Sequence, residues 1–430
     1  MLPVSSTQIE EYNANSIHKT LRVYFPHLNV TVLQKNIEGE SFQLTESILD
    51  GKNVEFVGCI ASEMRITIYQ MAQTLKNESI EVYVKTDDTA EIPLFKGTVY
   101  SAVTKRSNGK RKIDIIAYDT LYTIGQKDVA SWYQGLTFPK TIKQIRDSLF
   151  TYLGVTQETV TLPNDNISIA KQYDPTVLQC LNVIKGICQF NGCFGIMNRS
   201  GNFEYRFIEP DSYQMIIANE FTFAKSVESE DYYVKPFERV QIRDSEKDAG
   251  ITVGDGTAIS NKYIIQANMW AYKLDDNTKT TVATNIYNVV KGIAIYPCNT
   301  NNNGLPFLEV GDRVKYTLTN TRSASDLVYN TFLCTHRVLK GVQALRDTYK
   351  ADGDEEASEF VSDLQTQIDT IKQSGGGGID PDDYYTKEET EDYVDTAIST
   401  ETQTIISVVT LPVDRDENTV YLTRGDVTIM

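Results

Sequence analysis

The sequence predicts an α+β, multidomain protein: two β-rich regions flank an α+β insertion, followed by a short helix and a flexible C-terminal extension. Three observations carry this expectation. Short runs of β-branched and aromatic residues occur twice, with helical periodicity between them. Four consecutive glycines, Gly375, Gly376, Gly377 and Gly378, follow the second β region; each costs more backbone entropy to fix than any other residue and offers no side chain to pack, so the run reads as a hinge. Charge is also divided unevenly. From Asp352 to Met430 there are 20 Asp and Glu against 4 Lys and Arg, whereas the residues before Asp352 hold 38 acids and 37 bases. The acidity therefore belongs to the extension, which such a charge density keeps solvated and away from anionic membranes and non-specific DNA.

Residues 1–130 form the first β-rich region, with strand-like runs "LRVYFP", "VEFVGC", "MRITIYQ", "IEVYVKT", "LFKGTVYSAV" and "KIDIIAYDT". Asn108-Gly109 in "RSNGKR" signals a two-residue hairpin turn; Lys105, Arg106, Lys110, Arg111 and Lys112 around it read as a solvated tip, the alternative being a contact for phosphates or acidic partners. Residues 131–215 form the α+β insertion. One helix starts at a Thr141 cap, places Ile142, Ile145, Leu149 and Leu153 on one face and stops at Gly154. A second is expected to use Asp174 as cap, with Pro175 at its first position, and to stop at Asn191-Gly192. Behind it "CFGIMNRSGNFEYRFI" reads as a hairpin turning at Asn198 to Gly201.

Strand signals return over 216–352, and Asn299 to Gly304 reads as a polar loop. Residues 353–373 are expected to be a helix, with Val361, Leu364, Ile368 and Ile371 forming either a short oligomerising seam or a face packed on the body. A Gly/Asp linker follows over 374–383. Residues 384–430 read as an acidic adaptor, a helix with a Thr386/Glu389 capping box and a β-hairpin around "PVDRDEN". The apolar ending "VTIM" suggests strand pairing with another chain or a longer parent polypeptide.

At 430 residues, 41% hydrophobic, the composition is that of a globular protein. The N-terminal stretch has neither a basic start nor an apolar run, so secretion or membrane insertion by its own signal is not expected. Six cysteines without a CxxC pair, and only three histidines, read as buried reduced thiols rather than a metal site. Cys334 and His336 share a strand face and form the one conceivable catalytic dyad, but no nucleophile motif surrounds them. P-loop, GxGxxG, HExxH and EF-hand patterns do not occur, and no local pattern selects a carboxylate pair. The expectation is a non-enzyme without catalytic, cofactor or metal residues.

Four stretches together resemble one family: "DVASWYQGLTFPKTIKQIRDSLFTYLGV" (128–155), "GICQFNGCFGIMNRSGNFEY" (186–205), "LPFLEVGDRVKY" (305–316) and "HRVLKGVQALRDTYKADGDE" (336–355). They are similar to the tail-tip or baseplate hub proteins, the tail-associated proteins of phages of Gram-positive bacteria. The resemblance covers residues from about 50 to 373. It implies a structural virion protein at the tail tip, assembled in the host cytoplasm as a homotrimer. Each subunit would contribute two domains like the tail-tube protein, so that three chains match a sixfold tube. Implied partners are the distal tail protein or tail tube, the tape-measure protein, and genomic DNA only in transit during ejection. "YYTKEE" past the glycines resembles connector modules that carry a fibre or receptor-binding protein. Some relatives carry a peptidoglycan hydrolase behind the hub; none is expected from this sequence, which speaks against a lytic role. Two other readings are a host-surface adhesin binding carbohydrate, with Trp132 and Trp270 as candidate platforms, and a cell-wall hydrolase.

Overall fold

The alternating runs near the N-terminus form strands whose inward positions are apolar, which is why they pair into a sheet rather than coil. A computed structural model describes residues 1–14, 17–49, 54–69, 71, 73–107, 109–172, 174–209, 215–217, 223–229, 233–257, 260–317, 329–351, 359–361, 420–423 and 426–429. Its fold is α+β, in two compact units, Met1–Gly375 and Gly376–Met430.

The first unit begins with α1 (Ser6–Asn13), capped by Ser5 and Gln8, and continues through β1 (Lys19–Phe25), β2 (Val30–Leu33), β3 (Gln43–Ser47), β4 (Glu63–Tyr69), β5 (Ser79–Thr86), β6 (Ile92–Ser107) and β7 (Lys110–Tyr118). Leu21, Val23 and Phe25 of β1, Ile80, Val82 and Val84 of β5, and Ile113, Ile115 and Ala117 of β7 are buried, every second residue. Ser107 pairs with Lys110 and Gly109 has φ +74°, as the two-residue turn requires. Gly97 of β6 has no room for a side chain, because a Cβ there would stand 2.2 Å from the Tyr118 carbonyl oxygen and 2.6 Å from Phe95 Cζ. Gly97→Ala is therefore expected to cost about 1–3 kcal/mol, read as a lower urea midpoint at unchanged slope.

The middle of the chain carries α2 (Thr120–Gly125), α3 (Ala130–Gln134), β8 (Lys140–Thr141), α4 (Ile142–Leu153), β9 (Ser168–Ile169), α5 (Cys180–Asn191), β10 (Phe194–Met197) and β11 (Phe203–Arg206). The Thr141 capping box closes with Gln144, the four expected α4 residues are buried, and Gly154 ends the helix at φ +68°. Helix α5 corrects the expected start. It begins at Cys180 with Gln179 as N-cap, not at Asp174. Residues 178–180 are instead tied to 127–129: Val129 N donates to Leu178 O, Cys180 N to Lys127 O, and Leu178 N to the Asp128 carboxylate. Those tertiary bonds hold extended a stretch that local propensity would wind.

Next come β12 (Met215–Ile217), β13 (Phe223–Ser229), β14 (Arg239–Arg243), β15 (Ile251–Val253), β16 (Lys262–Gln266), α6 (Asp276–Val290), β17 (Cys298–Asn303), β18 (Arg313–Thr317), β19 (Tyr329–Leu333), β20 (His336–Lys340), β21 (Arg346–Ala351) and β22 (Glu359–Val361). Two of these overturn the sequence reading. The Asn-rich stretch expected as a loop is β17, an inner strand paired on one side with β13 and on the other with β21; main-chain pairing on both sides supplies what the side chains lack. Helix α6 was not expected, because its segment is rich in β-branched residues. Its Thr280, Thr281 and Thr284 hydroxyls donate to the carbonyls four residues back, and Val282, Ala283, Ile286 and Val290 form a buried stripe.

Nominally separate β regions share one sheet. Eleven strands run in the order β13, β17, β21, β20, β3, β4, β7, β6, β5, β1, β2, and the seam between early and late sequence is the antiparallel pair β3–β20, with Glu46 opposite Arg337 and Leu44 opposite Leu339. A four-stranded sheet, β15, β14, β16, β22, carries α6. Strand β22 is a further correction: Glu359–Val361 pairs parallel with β16 where a helix was expected. The second unit contains a described hairpin of β23 (Val420–Thr423) and β24 (Asp426–Ile429), with Thr423 opposite Asp426. The "PVDRDEN" turn and the expected adaptor helix lie outside the described residues.

Candidate functional site

The unusual chemistry of the first unit is a buried group of charges where three parts of the chain meet. Arg337 lies on β20 in phase with inward-facing Leu339, and is fully buried. Its guanidinium grips Asp347 of β21 in a fork, Nε to Oδ1 and Nη2 to Oδ2, both at 2.9 Å. Nη1 reaches Glu46 of β3 at 3.1 Å, Nη2 donates to Leu305 O at 3.0 Å, and Nη1 also donates to Leu308 O. Asp347 takes further bonds from the Leu305 amide (2.9 Å) and the Tyr349 hydroxyl (2.7 Å). Every charge in this set has an opposite charge or a full complement of hydrogen bonds, the condition for tolerating buried ions.

Two more arginines come from the β10–β11 hairpin. Its turn is locked by Asn198, whose side-chain oxygen accepts from the Ser200 and Asn202 amides at 3.0 Å, with Gly201 at φ +83°. That rigid turn sends Arg199 inward, where Nη2 donates to Leu308 O at 2.8 Å and Nη1 to the carbonyl of Pro306. Glu46 and Glu309 stand 3.6 and 3.7 Å from its nitrogens. Arg206 bonds Val310 O (2.6 Å), Glu309 (3.2 Å) and Glu204 (2.9 Å). The loop "LPFLEVGD" thus turns the carbonyls of Leu305, Pro306, Leu308 and Val310 onto three arginines. Burial alone would push the Glu309 carboxyl up, but Arg206, Arg199 and the N-terminal amine outweigh it and bring it down to about 2.

This junction joins β3, the hairpin of the insertion, and the strands β20 and β21. Its ion pairs tie β3 to β20 and β20 to β21, the strands through which the two halves of the large sheet are joined. Three of the four family-like stretches supply it, with Arg199 from the second, Glu309 from the third, and Arg337 and Asp347 from the fourth. Sequence reading missed these charges. The available signal was an arginine and an aspartate in phase with buried positions of their strands, Arg337 with Leu339 and Asp347 with Tyr349 and Ala351.

The residues singled out from sequence are not brought together. Val361 is in strand β22, while Leu364, Ile368 and Ile371 lie outside the described residues. The hinge expected at Gly375, Gly376, Gly377 and Gly378 also lies outside them, although the boundary between the two compact units falls at Gly375–Gly376. Cys334 is buried, its thiol donates to the backbone carbonyl of His336, and burial pushes its pKa well up, the reverse of nucleophile activation. Trp132 is 7% and Trp270 1% exposed, so neither is a surface platform. All six cysteines are buried and in no disulfide, and among the described residues no three His, Cys, Asp or Glu are grouped to hold a metal. At the β6–β7 tip Lys105, Arg106, Lys110 and Arg111 are exposed as expected, and Lys112 is half-buried.

No family model matches the chain, and no curated protein matches it. Solved structures do resemble it. A tail protein from Neisseria meningitidis is 11% identical, with TM-score 0.48, covering 80% of this chain and 100% of its own. A 43 kDa tail protein of a Shewanella oneidensis prophage is 10% identical, with TM-score 0.49 and the same two coverages. A prophage tail protein from Listeria monocytogenes is 11% identical, with TM-score 0.46, covering 82% of this chain and 99% of its own.

Proposed function

We propose that this chain is a structural protein of a phage tail, the homotrimeric hub at the tail tip that closes the tube, organises the baseplate and opens for DNA ejection. The observation that carries the reading is the continuous sheet. One chain sets two β-rich regions edge to edge through β3 and β20, and the buried arginine junction makes that pairing rigid. Such a subunit offers two sheet units at a fixed angle, and three subunits would offer six. A threefold hub would thereby meet a sixfold tube by repetition within the chain rather than by strain. The four family-like sequence stretches support the same reading, and three of them build the junction.

In this role the first unit contacts the distal tail protein or the tube and the end of the tape-measure protein, and DNA touches it only in passing. The acidic extension beyond Gly378 carries the fibre or receptor-binding protein, the glycines keeping it near the tip over a range of angles. A hydrolase reading has no support from Cys334, whose burial disfavours the thiolate, and an adhesin reading loses both of its tryptophan platforms.

Native mass spectrometry of isolated tail tips is the direct test. Three copies per tip, with antibody label at the distal end of the tail in electron micrographs, is the expected result. A monomer or dimer within assembled tips, or label along the tube, overturns the hub assignment.

A further inference from the structure

The hairpin of β6 and β7 reaches past its neighbours. Strand β5 pairs with β6 only from Ile92 to Thr98, and from Ser101 to Arg106 no strand lies on the outer side of β6 among the described residues. That row of backbone N–H and C=O groups is an open sheet edge. A bulge at Tyr100, where the register slips between Val99 and Ser101, marks where the free section begins. Tyr100 and Val103 stand out from it, 51% and 50% exposed.

Charge at the tip is unbalanced in a specific way. Lys105 lies opposite Lys112, and Arg106 opposite Arg111. Like charges directly opposite each other destabilise a hairpin. The first pair is relieved, Lys105 by Asp114 at 2.6 Å and Lys112 by Glu38. Arg106 and Arg111 have no acidic partner among the described residues. Edge strands often carry cations simply to prevent pairing; here the two arginines stand beside half-exposed Val103 on the open section, while Tyr100 packs edge-on against Tyr118 and Tyr122. A nucleic-acid backbone would satisfy the arginines while leaving the outward carbonyls facing phosphates. An extended acidic peptide satisfies arginines, carbonyls, amides and Val103 together.

We propose that the free edge of β6, Ser101 to Arg106, receives an extended acidic segment of a partner protein as an added strand. The segment's carboxylates lie beside Arg106, with Arg111 reaching toward them across β6, and one of its apolar side chains covers Val103.

Hydrogen exchange on the full-length chain tests this with four probes: a peptide of about eight residues alternating Glu and Val, its Lys counterpart, the acidic peptide N-methylated at alternate positions, and a single-stranded oligonucleotide. The acidic peptide should slow exchange at 101–106, and less so as salt is raised. Arg106→Ala with Arg111→Ala should weaken it by about fivefold or more without lowering the melting temperature, since repulsion is removed. The methylated and lysine peptides should give no protection. Protection by either of them, protection by the oligonucleotide, protection elsewhere in the chain, or none from the acidic peptide at millimolar concentration each overturns the proposal.

Discussion

Arg337→Met is expected to lower the stability of the first unit by about 3–5 kcal/mol, among the largest effects of any single substitution in this chain. The side chain is fully buried, and removing its charge strands Asp347, itself 0% exposed, without its cation and leaves Glu46, 8% exposed, with Arg199 alone at 3.6 Å. The Leu305 carbonyl loses its Arg337 donor at the same time, and the Leu308 carbonyl loses one of its two arginine donors. Buried charge left unpaired is costly because the low-dielectric interior returns none of the hydration that folding removed. Replacing the acids as well, Glu46→Leu and Asp347→Leu together with Arg337→Met, should recover much of the loss, since a packed apolar set of similar volume avoids the desolvation cost. Urea unfolding of the three proteins gives the comparison. A loss below about 1 kcal/mol for the single variant, or no recovery in the triple, would mean that water reaches the junction and screens it.

Glu309→Gln should change the response to acid. Its folded-state pKa is depressed from the usual 4.5 to about 2 because Arg206, Arg199 and the N-terminal amine outweigh the upward push of burial. A depressed carboxyl contributes stability that is fully present above its unfolded value and is lost as pH falls through the folded one. The window for this group is therefore from about pH 4.5 down to about pH 2. At neutral pH the glutamine variant should be less stable by on the order of 3 kcal/mol. It should lose less than the parent between pH 4.5 and 2, so that the two curves converge at the acid end. Parallel curves across that window would show that the carboxyl titrates normally and that the arginines are held by the loop carbonyls alone.

Local signals were legible wherever a segment's own residues satisfy its backbone. Helix α4 needed only Thr141, Gln144, a four-residue apolar stripe and Gly154, all within one short stretch, and it formed where expected. The β10–β11 hairpin turned at Asn198 to Gly201 for the same reason, since Asn198 supplies its own turn bonds. Segments whose partners lie far off in sequence were misread. Strand β17 is polar throughout most of its length and is ordered by β13 and β21 on either side. Helix α6 has strand-like composition, and a buried stripe against β14 and β15 decides its form.

By itself, the sequence determined the α+β class and the places of helix α4 and of the β10–β11 hairpin. These follow from periodicity and turn residues, each a property of a few neighbouring residues. Only the tertiary structure decided that the two β regions are one sheet, that residues 174–179 precede α5 rather than belong to it, and that Arg199 and Arg337 are core residues. An arginine reads as exposed until its counter-charges are known. Those of Arg337 sit at Asp347, ten residues on, and Glu46, 291 residues back, and a buried ion is stable only where the fold delivers both.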